Sequence, residues 1–199
     1  AAVKEPDQLS ADFQEIPYVT SIFGTDITGK SIVHLLDLLG ESVGMKGAGG
    51  GAVMMVGGGP MVVCTVDLRG KIYGGCNENL GLSVYGPDGK PEFAFGRKFA
   101  PLKNPRFKGA VGQKKNLPAF GRTLVFDEEG NLWIELTKEE KSKVFLYDIF
   151  SADGIYLKQV QIEQRVAQFV KGKLYSLLRP EDGYPSVKRY KIDLVPAER

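Results

Sequence analysis

One short turn phrase recurs along this chain and limits what it can fold into. Asp67-Leu68-Arg69-Gly70-Lys71 is followed by Ile72-Tyr73, and Asp127-Glu128-Glu129-Gly130-Asn131 by Leu132-Trp133. Lys171-Gly172-Lys173 is followed by Leu174-Tyr175. A β-rich run precedes each, over residues 61–66, 123–126 and 166–170. Gly late in each turn supplies the positive φ that a tight hairpin needs, and the aliphatic-aromatic pair opens the next strand. A second turn type alternates with the first: Tyr85-Gly86-Pro87-Asp88-Gly89-Lys90 after residues 80–84, and Ser151-Ala152-Asp153-Gly154 after residues 144–150. With 25 Gly and 11 Pro in 199 residues, many turns and few long helices are expected.

Each unit therefore reads strand, Asp-x-x-Gly turn, strand, loop, strand, Pro-Asp-Gly-type turn, strand. Four antiparallel strands in about 40–45 residues is the sequence form of a β-propeller blade. The expected fold is all-β, a single propeller domain over 1–199. Its blade-like units are 60–96, 122–163 and 165–195, after an irregular N-terminal part, 1–59. In that part residues 16–23 read as a strand. The apolar positions Ile32, Leu35, Leu36 and Leu39 fit a helical face, but length and the preceding turn favour a strand over 32–39. The Gly-rich stretch 44–60 holds eight glycines and reads as a connection, with 53–56 as an apolar anchor or short strand. At about 40–45 residues per blade the chain makes about four blades, or part of a larger six-bladed ring, or it pairs with a second copy or another chain in a homo- or hetero-oligomer that completes the ring.

Residues 61–192 resemble the NHL-type six-bladed propeller repeats of extracytoplasmic bacterial proteins. The residues that carry the resemblance are Val66 to Tyr73, then Val84-Tyr85-Gly86-Pro87-Asp88-Gly89-Lys90 with Phe95-Gly96-Arg97 closing the unit. The set recurs as Val125 to Trp133 and as Tyr147 to Gly154. The resemblance implies a periplasmic, cell-surface or secreted protein. The start at Ala1-Ala2 without Met fits signal-peptide removal, and equally a trimmed chain or a fragment. Some NHL-like propellers are enzymes with a central metal. Here His34 is the one histidine, so a His-rich zinc centre cannot form from this chain. Oxygen ligation by Asp67, Asp88, Asp127 and Asp153 stays open, although Asp in such turns bonds its own backbone.

The polar feature that points furthest toward function lies between Phe93 and Phe126. It holds Arg97, Lys98, Lys103, Arg106, Lys108, Lys114, Lys115 and Arg122 without one acid, in a chain of net charge +2. Phe99, Phe107 and Phe120 interleave with the cations, and Pro101, Pro105 and Pro118 keep the segment extended or looped. Such a loop suits another protein chain or an anionic surface polymer by charge complementarity. A nucleic acid is the less favoured partner, given the extracytoplasmic context.

Gly24-Thr25-Asp26-Ile27-Thr28-Gly29-Lys30-Ser31 also fits a phosphate-binding loop, with Gly24, Gly29, Lys30 and Ser31 as its nucleotide contacts. The same residues repeat the Asp-x-x-Gly-Lys turn phrase, and a hairpin is the favoured reading. Gly47 to Ala52 fits a dinucleotide fingerprint only weakly. His34, in an apolar run, is read as a satisfied, partly buried histidine.

Cys64 and Cys76 lie on the two arms of the 67–71 hairpin as diagonal neighbours, at the limit of disulfide reach. Two buried thiols are the favoured reading. No run of 18 apolar residues occurs, so no membrane span is expected. The sequence favours a non-catalytic binding or scaffold module without a cofactor. Its alternatives are a subunit of a cell-surface or redox assembly, a metal-dependent propeller lyase or hydrolase, and a nucleotide binder through Gly24 to Ser31.

Overall fold

The computed structural model describes residues 13–25, 32–46, 53–55, 61–105, 115–139, 141–178 and 183–191. Among them the regular structure is all β, arranged as four antiparallel sheets, none of which closes on itself. The first sheet contains β1 (Phe13–Thr25), β2 (Ile32–Lys46) and β3 (Val53–Met55). The second contains β4 (Val62–Val66), β5 (Ile72–Cys76), β6 (Gly81–Tyr85) and β7 (Pro91–Gly96). The third contains β8 (Phe120–Phe126), β9 (Leu132–Leu136), β10 (Phe145–Phe150) and β11 (Tyr156–Ile162). The fourth contains β12 (Val166–Val170), β13 (Lys173–Leu178) and β14 (Ser186–Lys191). Every sheet is a meander whose spatial order follows chain order.

The strand reading of 32–39 is met, and the strand continues to Lys46. Of the Gly-rich stretch, Val53–Met55 forms the short strand β3, paired with Gly44, Met45 and Lys46. No helix among the described residues is long and apolar enough to cross a membrane.

Four hairpins share one backbone geometry, so the two turn types read from the sequence are a single type. At Asp67, Gly86, Asp127 and Ser151 the first residue's N–H donates to the carbonyl four residues on. The glycine three residues on donates back to the first residue's carbonyl. Those glycines, Gly70, Gly89, Gly130 and Gly154, all have φ between +77° and +83°. This is a type I turn followed by a left-handed residue in a three-residue loop.

What varies is the side chain that braces the loop. Asp67 Oδ1 accepts from the amides of Arg69 and Lys71, and Asp127 Oδ1 from those of Glu129 and Asn131. Ser151 Oγ accepts from Ile155 N–H. In the Gly-Pro-Asp-Gly loop the carboxylate has moved two residues along, and Asp88 Oδ1 accepts from Lys90 N–H. A Cβ on Gly86 would lie 2.9 Å from that same Oδ1, so the glycine leaves room for the displaced brace. The Lys171-Gly172 turn departs from the sequence reading. Both central residues have positive φ, +49° and +67°, and Val170 pairs directly with Lys173. It is the tighter two-residue type I′ turn.

Packing follows from strand alternation, which sends successive side chains to opposite faces. Every residue of β9 is buried. Leu132, Ile134 and Leu136 pack toward Val63, Tyr73 and Val84 of the second sheet. Trp133 packs with Tyr147, Ile149, Val166 and Leu174, toward the fourth sheet. The second sheet is likewise covered on both faces, because Ile72 packs against Leu36 and Leu38 of the first. The sheets thus form a stack. The leading strands β4, β8 and β12 run beside one another, whereas the first sheet approaches β4 and β5 through β2.

The β4–β5 register pairs Cys64 with Gly74 and Val62 with Cys76. The cysteines are diagonal neighbours, as read from the sequence, and both are free thiols. The expectation that they are buried fails: Cys64 is exposed and Cys76 half-buried. They stand on the Gly74 face of the hairpin, not on the face that meets the third sheet.

The turns generate a test. Gly130 has open space around a built Cβ, whereas a Cβ on Gly89 would lie 2.2 Å from the Leu35 carbonyl oxygen. Gly130→Ala is expected to lose about 1–2 kcal/mol, the cost of a left-handed non-glycine residue. Gly89→Ala is expected to lose clearly more, because β2 must also move. Equal urea midpoints for the two variants would contradict this packing.

Candidate interaction surface

The basic segment leaves the second sheet at the end of β7, and its first cation turns inward. Arg97 donates through Nε to Asp148 Oδ2 at 2.6 Å and through Nη2 to Asp148 Oδ1 at 3.1 Å. Its guanidinium lies 5.4 Å from the centre of the Tyr156 ring. Asp148 is fully buried on β10 and also accepts from Gln159 Nε2. A buried carboxylate needs this kind of fork-shaped, charge-assisted partner. The hydrogen bonds to Asp148 raise the Arg97 pKa above its ordinary value. The sequence reading placed Arg97 among the partner contacts, and the structure shows it tying the second sheet to the third.

The remaining cations divide. Lys98, Lys103 and Lys115 are exposed. Arg106, Lys108 and Lys114 lie outside the described residues, as does the Arg122 side chain. The two described ends of the segment come together as the base of a hairpin. Asn104 N–H donates to the Lys115 carbonyl, Leu117 N–H donates to the Leu102 carbonyl, and Lys103 and Asn116 are bridge partners. Lys103 and Lys115 therefore sit at one place on the surface.

Phe99 is half-buried against the core between the second and third sheets, and Phe120 is fully buried in it. The return leg is fastened by Asn77, a buried side chain. Its Nδ2 donates to the Phe120 carbonyl, its Oδ1 accepts from Met61 N–H, and its carbonyl accepts from Ala119 N–H. The two described ends of the segment are thus fastened to the second and third sheets.

A second buried carboxylate, Glu135, is held in the same way. Arg165 donates to its Oε1 through Nε and Nη2, at 3.1 and 2.8 Å. The Tyr147 hydroxyl donates to Oε2 at 3.3 Å and accepts from Val166 N–H. Burial pushes the Tyr147 phenol well above its ordinary value. Asp148 and Glu135 are each held by several partners and serve as ties within and between sheets. Neither Asp148 nor Glu135 was singled out from the sequence. The available signal was one acid inside an otherwise apolar strand, as in Phe145–Phe150 and Leu132–Leu136.

The remaining sequence candidates take other places. Gly24 lies in β1 opposite Val33, and Gly29, Lys30 and Ser31 fall outside the described residues. A phosphate loop needs a helix opening at its Lys-Ser, and the chain continues instead into strand β2 from Ile32. The loop therefore joins two paired strands, the hairpin context. His34 is half-exposed, and it is satisfied as read from the sequence. It bonds Asp37 Oδ1 at 2.7 Å and meets Phe23 edge-on, and the contact lowers the Asp37 pKa. Asp67, Asp88 and Asp127 are engaged within their own loops, and among the described residues no cluster of three His, Cys, Asp or Glu could hold a metal ion.

Two measurements follow. Arg97→Met strands the Asp148 carboxylate with Gln159 alone and is expected to cost about 2–3 kcal/mol, less than a wholly buried pair because Arg97 is partly solvated. Lys103→Met, on the exposed hairpin base, is expected to cost under about 0.5 kcal/mol. Comparable urea midpoints would contradict the division between tie and surface.

The Tyr147 phenol is raised in the folded state above 10.0. Its contribution to stability is complete below pH 10.0 and is lost as pH rises through the raised value. Tyr147→Phe is accordingly expected to be less stable at neutral pH and to lose less further stability on alkaline titration. A steeper alkaline loss in the variant would contradict this assignment. Comparison with protein-family models and with curated proteins finds no match for this sequence.

Proposed function

We propose that this chain is a non-catalytic binding or scaffold module of the β-propeller type, working outside the cytoplasm. It takes an acidic macromolecular partner, a protein chain or an anionic surface polymer, on its basic hairpin. The observation that carries the reading is the division of charge in segment 97–122. Once Arg97 is consumed by Asp148, Lys98, Lys103 and Lys115 remain exposed on a base fixed by Phe99, Phe120 and Asn77. Loops held by a rigid scaffold are where recognition is placed, and clustered like charge on such a loop favours an oppositely charged partner. The blade reading is supported by the four-stranded meanders of the second and third sheets and by the contacts that β8 makes with both β4 and β12. The extracytoplasmic placement is supported by the resemblance of residues 61–192 to NHL-type repeats.

Binding to immobilised polyglutamate and to heparin at low ionic strength tests the proposal. The expected result is binding that weakens steeply with salt. The combined variant Lys98→Glu, Lys103→Glu, Lys115→Glu is expected to weaken it at least about tenfold at unchanged thermal stability. Absence of binding to both polymers, or binding indifferent to the triple variant, would overturn it.

A further inference from the structure

The stack of sheets has two ends, and they are unlike. Each inner sheet packs against a neighbour on both faces. Among the described residues, the first and last sheets each have a neighbouring sheet on one face only. On the last sheet, Leu174, Phe169 and Tyr190 pack inward against the third sheet. The alternate positions point away from the stack. There Leu177 is directly opposite Val187 and Tyr175 is opposite Arg189. Leu177 is 43% exposed and Val187 is 65% exposed. On the first sheet, Leu36 and Leu38 pack inward. The outward positions include Val19, 55% exposed, Phe23, 58% exposed, and the exposed Asp37 opposite Ser21.

The two end sheets also differ in charge. The outward positions of β13 and β14 carry Lys173, Arg189 and Lys191 and no acid, whereas Lys188 stands opposite the buried Ser176 on the inward side. On the outward side of the first sheet the described carboxylate is Asp37, whose Oδ1 lies 2.7 Å from His34 Nε2. Each end face thus pairs apolar residues with charge of the sign opposite to the other's. Apolar side chains in pairs with flanking charge are what face-to-face sheet packing needs, and opposite sign fixes which face meets which.

We propose that the outer face of the fourth sheet docks on the outer face of the first sheet of a second copy of this chain. Leu177 and Val187 then meet the Val19 and Phe23 face, and Arg189 meets the acidic side around Asp37. The contact is heterologous, head to tail, and repeats between chains the sheet-on-sheet step that the chain makes three times within itself.

Sedimentation equilibrium and native mass measurement on the 199-residue chain test this. The expected result is a reversible assembly of two or more copies that dissociates as salt rises. Arg189→Glu and Asp37→Arg, each alone, are expected to weaken it at least about fivefold, and the two together to restore it. Val187→Glu is expected to weaken it without restoration by Asp37→Arg. These positions are exposed, and far-UV circular dichroism confirms that each variant folds. A monomer at every concentration would overturn the proposal and leave the faces to sheets of another polypeptide. An assembly indifferent to Arg189→Glu and Val187→Glu, or single variants that weaken it without mutual rescue, would overturn it equally.

Discussion

The fold depends on strands that are apolar on both faces. A half-buried strand alternates apolar with polar residues and can leave one side wet. Leu132–Leu136 cannot: Leu132, Ile134 and Leu136 fill one face while Trp133 fills the other, and all are buried. A sheet built around such a strand has to be covered twice. The second sheet meets the same demand through Tyr73 and Val84 on one face and Ile72 on the other. Short hairpins joined in a meander satisfy it by stacking sheet on sheet. The braced three-residue loops keep each hairpin short and hold its register, so the stack is assembled from locally determined pieces.

Two-sided burial makes any charge within these strands expensive, and the chain places two there. Asp148 and Glu135 are accommodated there because each receives a guanidinium fork and a further hydrogen bond. The arginines come from just beyond the final strands of two sheets, Arg97 after β7 and Arg165 after β11. Such positions are where the chain leaves one sheet for the next. Anchoring them fixes the exit direction of the connecting segment, and so the stem of the basic hairpin. The same electrostatic tie that completes the core also subtracts one cation from the surface, which is why charge counted along the sequence overstates what a partner meets.

Local chemistry was legible in the sequence, and long-range pairing was not. The hairpins at Asp67, Gly86, Asp127 and Ser151 follow from residues within five positions of one another, and the Cys64 to Gly74 register follows from the turn centre. The 32–39 segment was ambiguous because its leucines satisfy helix and strand spacing alike; pairing with β1 decides it. The Lys171-Gly172 turn was misread because one glycine marks both a left-handed third residue and a type I′ pair. Arg97 was read as a surface contact because its partner lies 51 residues away. The exposure of Cys64 was missed since it depends on which face of the hairpin the neighbouring sheet covers.

The ends of the stack follow from the same physics as its middle. An inner sheet has no choice of surface, because both faces are spent on neighbours. An end sheet is free to carry polar residues on its outer face, as the capping repeats of stacked architectures do. Here the outer positions of β13 and β14 keep Leu177 and Val187 side by side, and those of β1 keep Val19 and Phe23. Exposed apolar residues gathered on one sheet face are a liability where that face meets water. Arg189 beside one such face and Asp37 beside the other reduce that liability in solution and give each face a sign. Like faces repel, so two fourth sheets or two first sheets do not pair readily, whereas unlike faces attract. A stack finished in this way has a direction, and that direction distinguishes it from a stack capped for solitude.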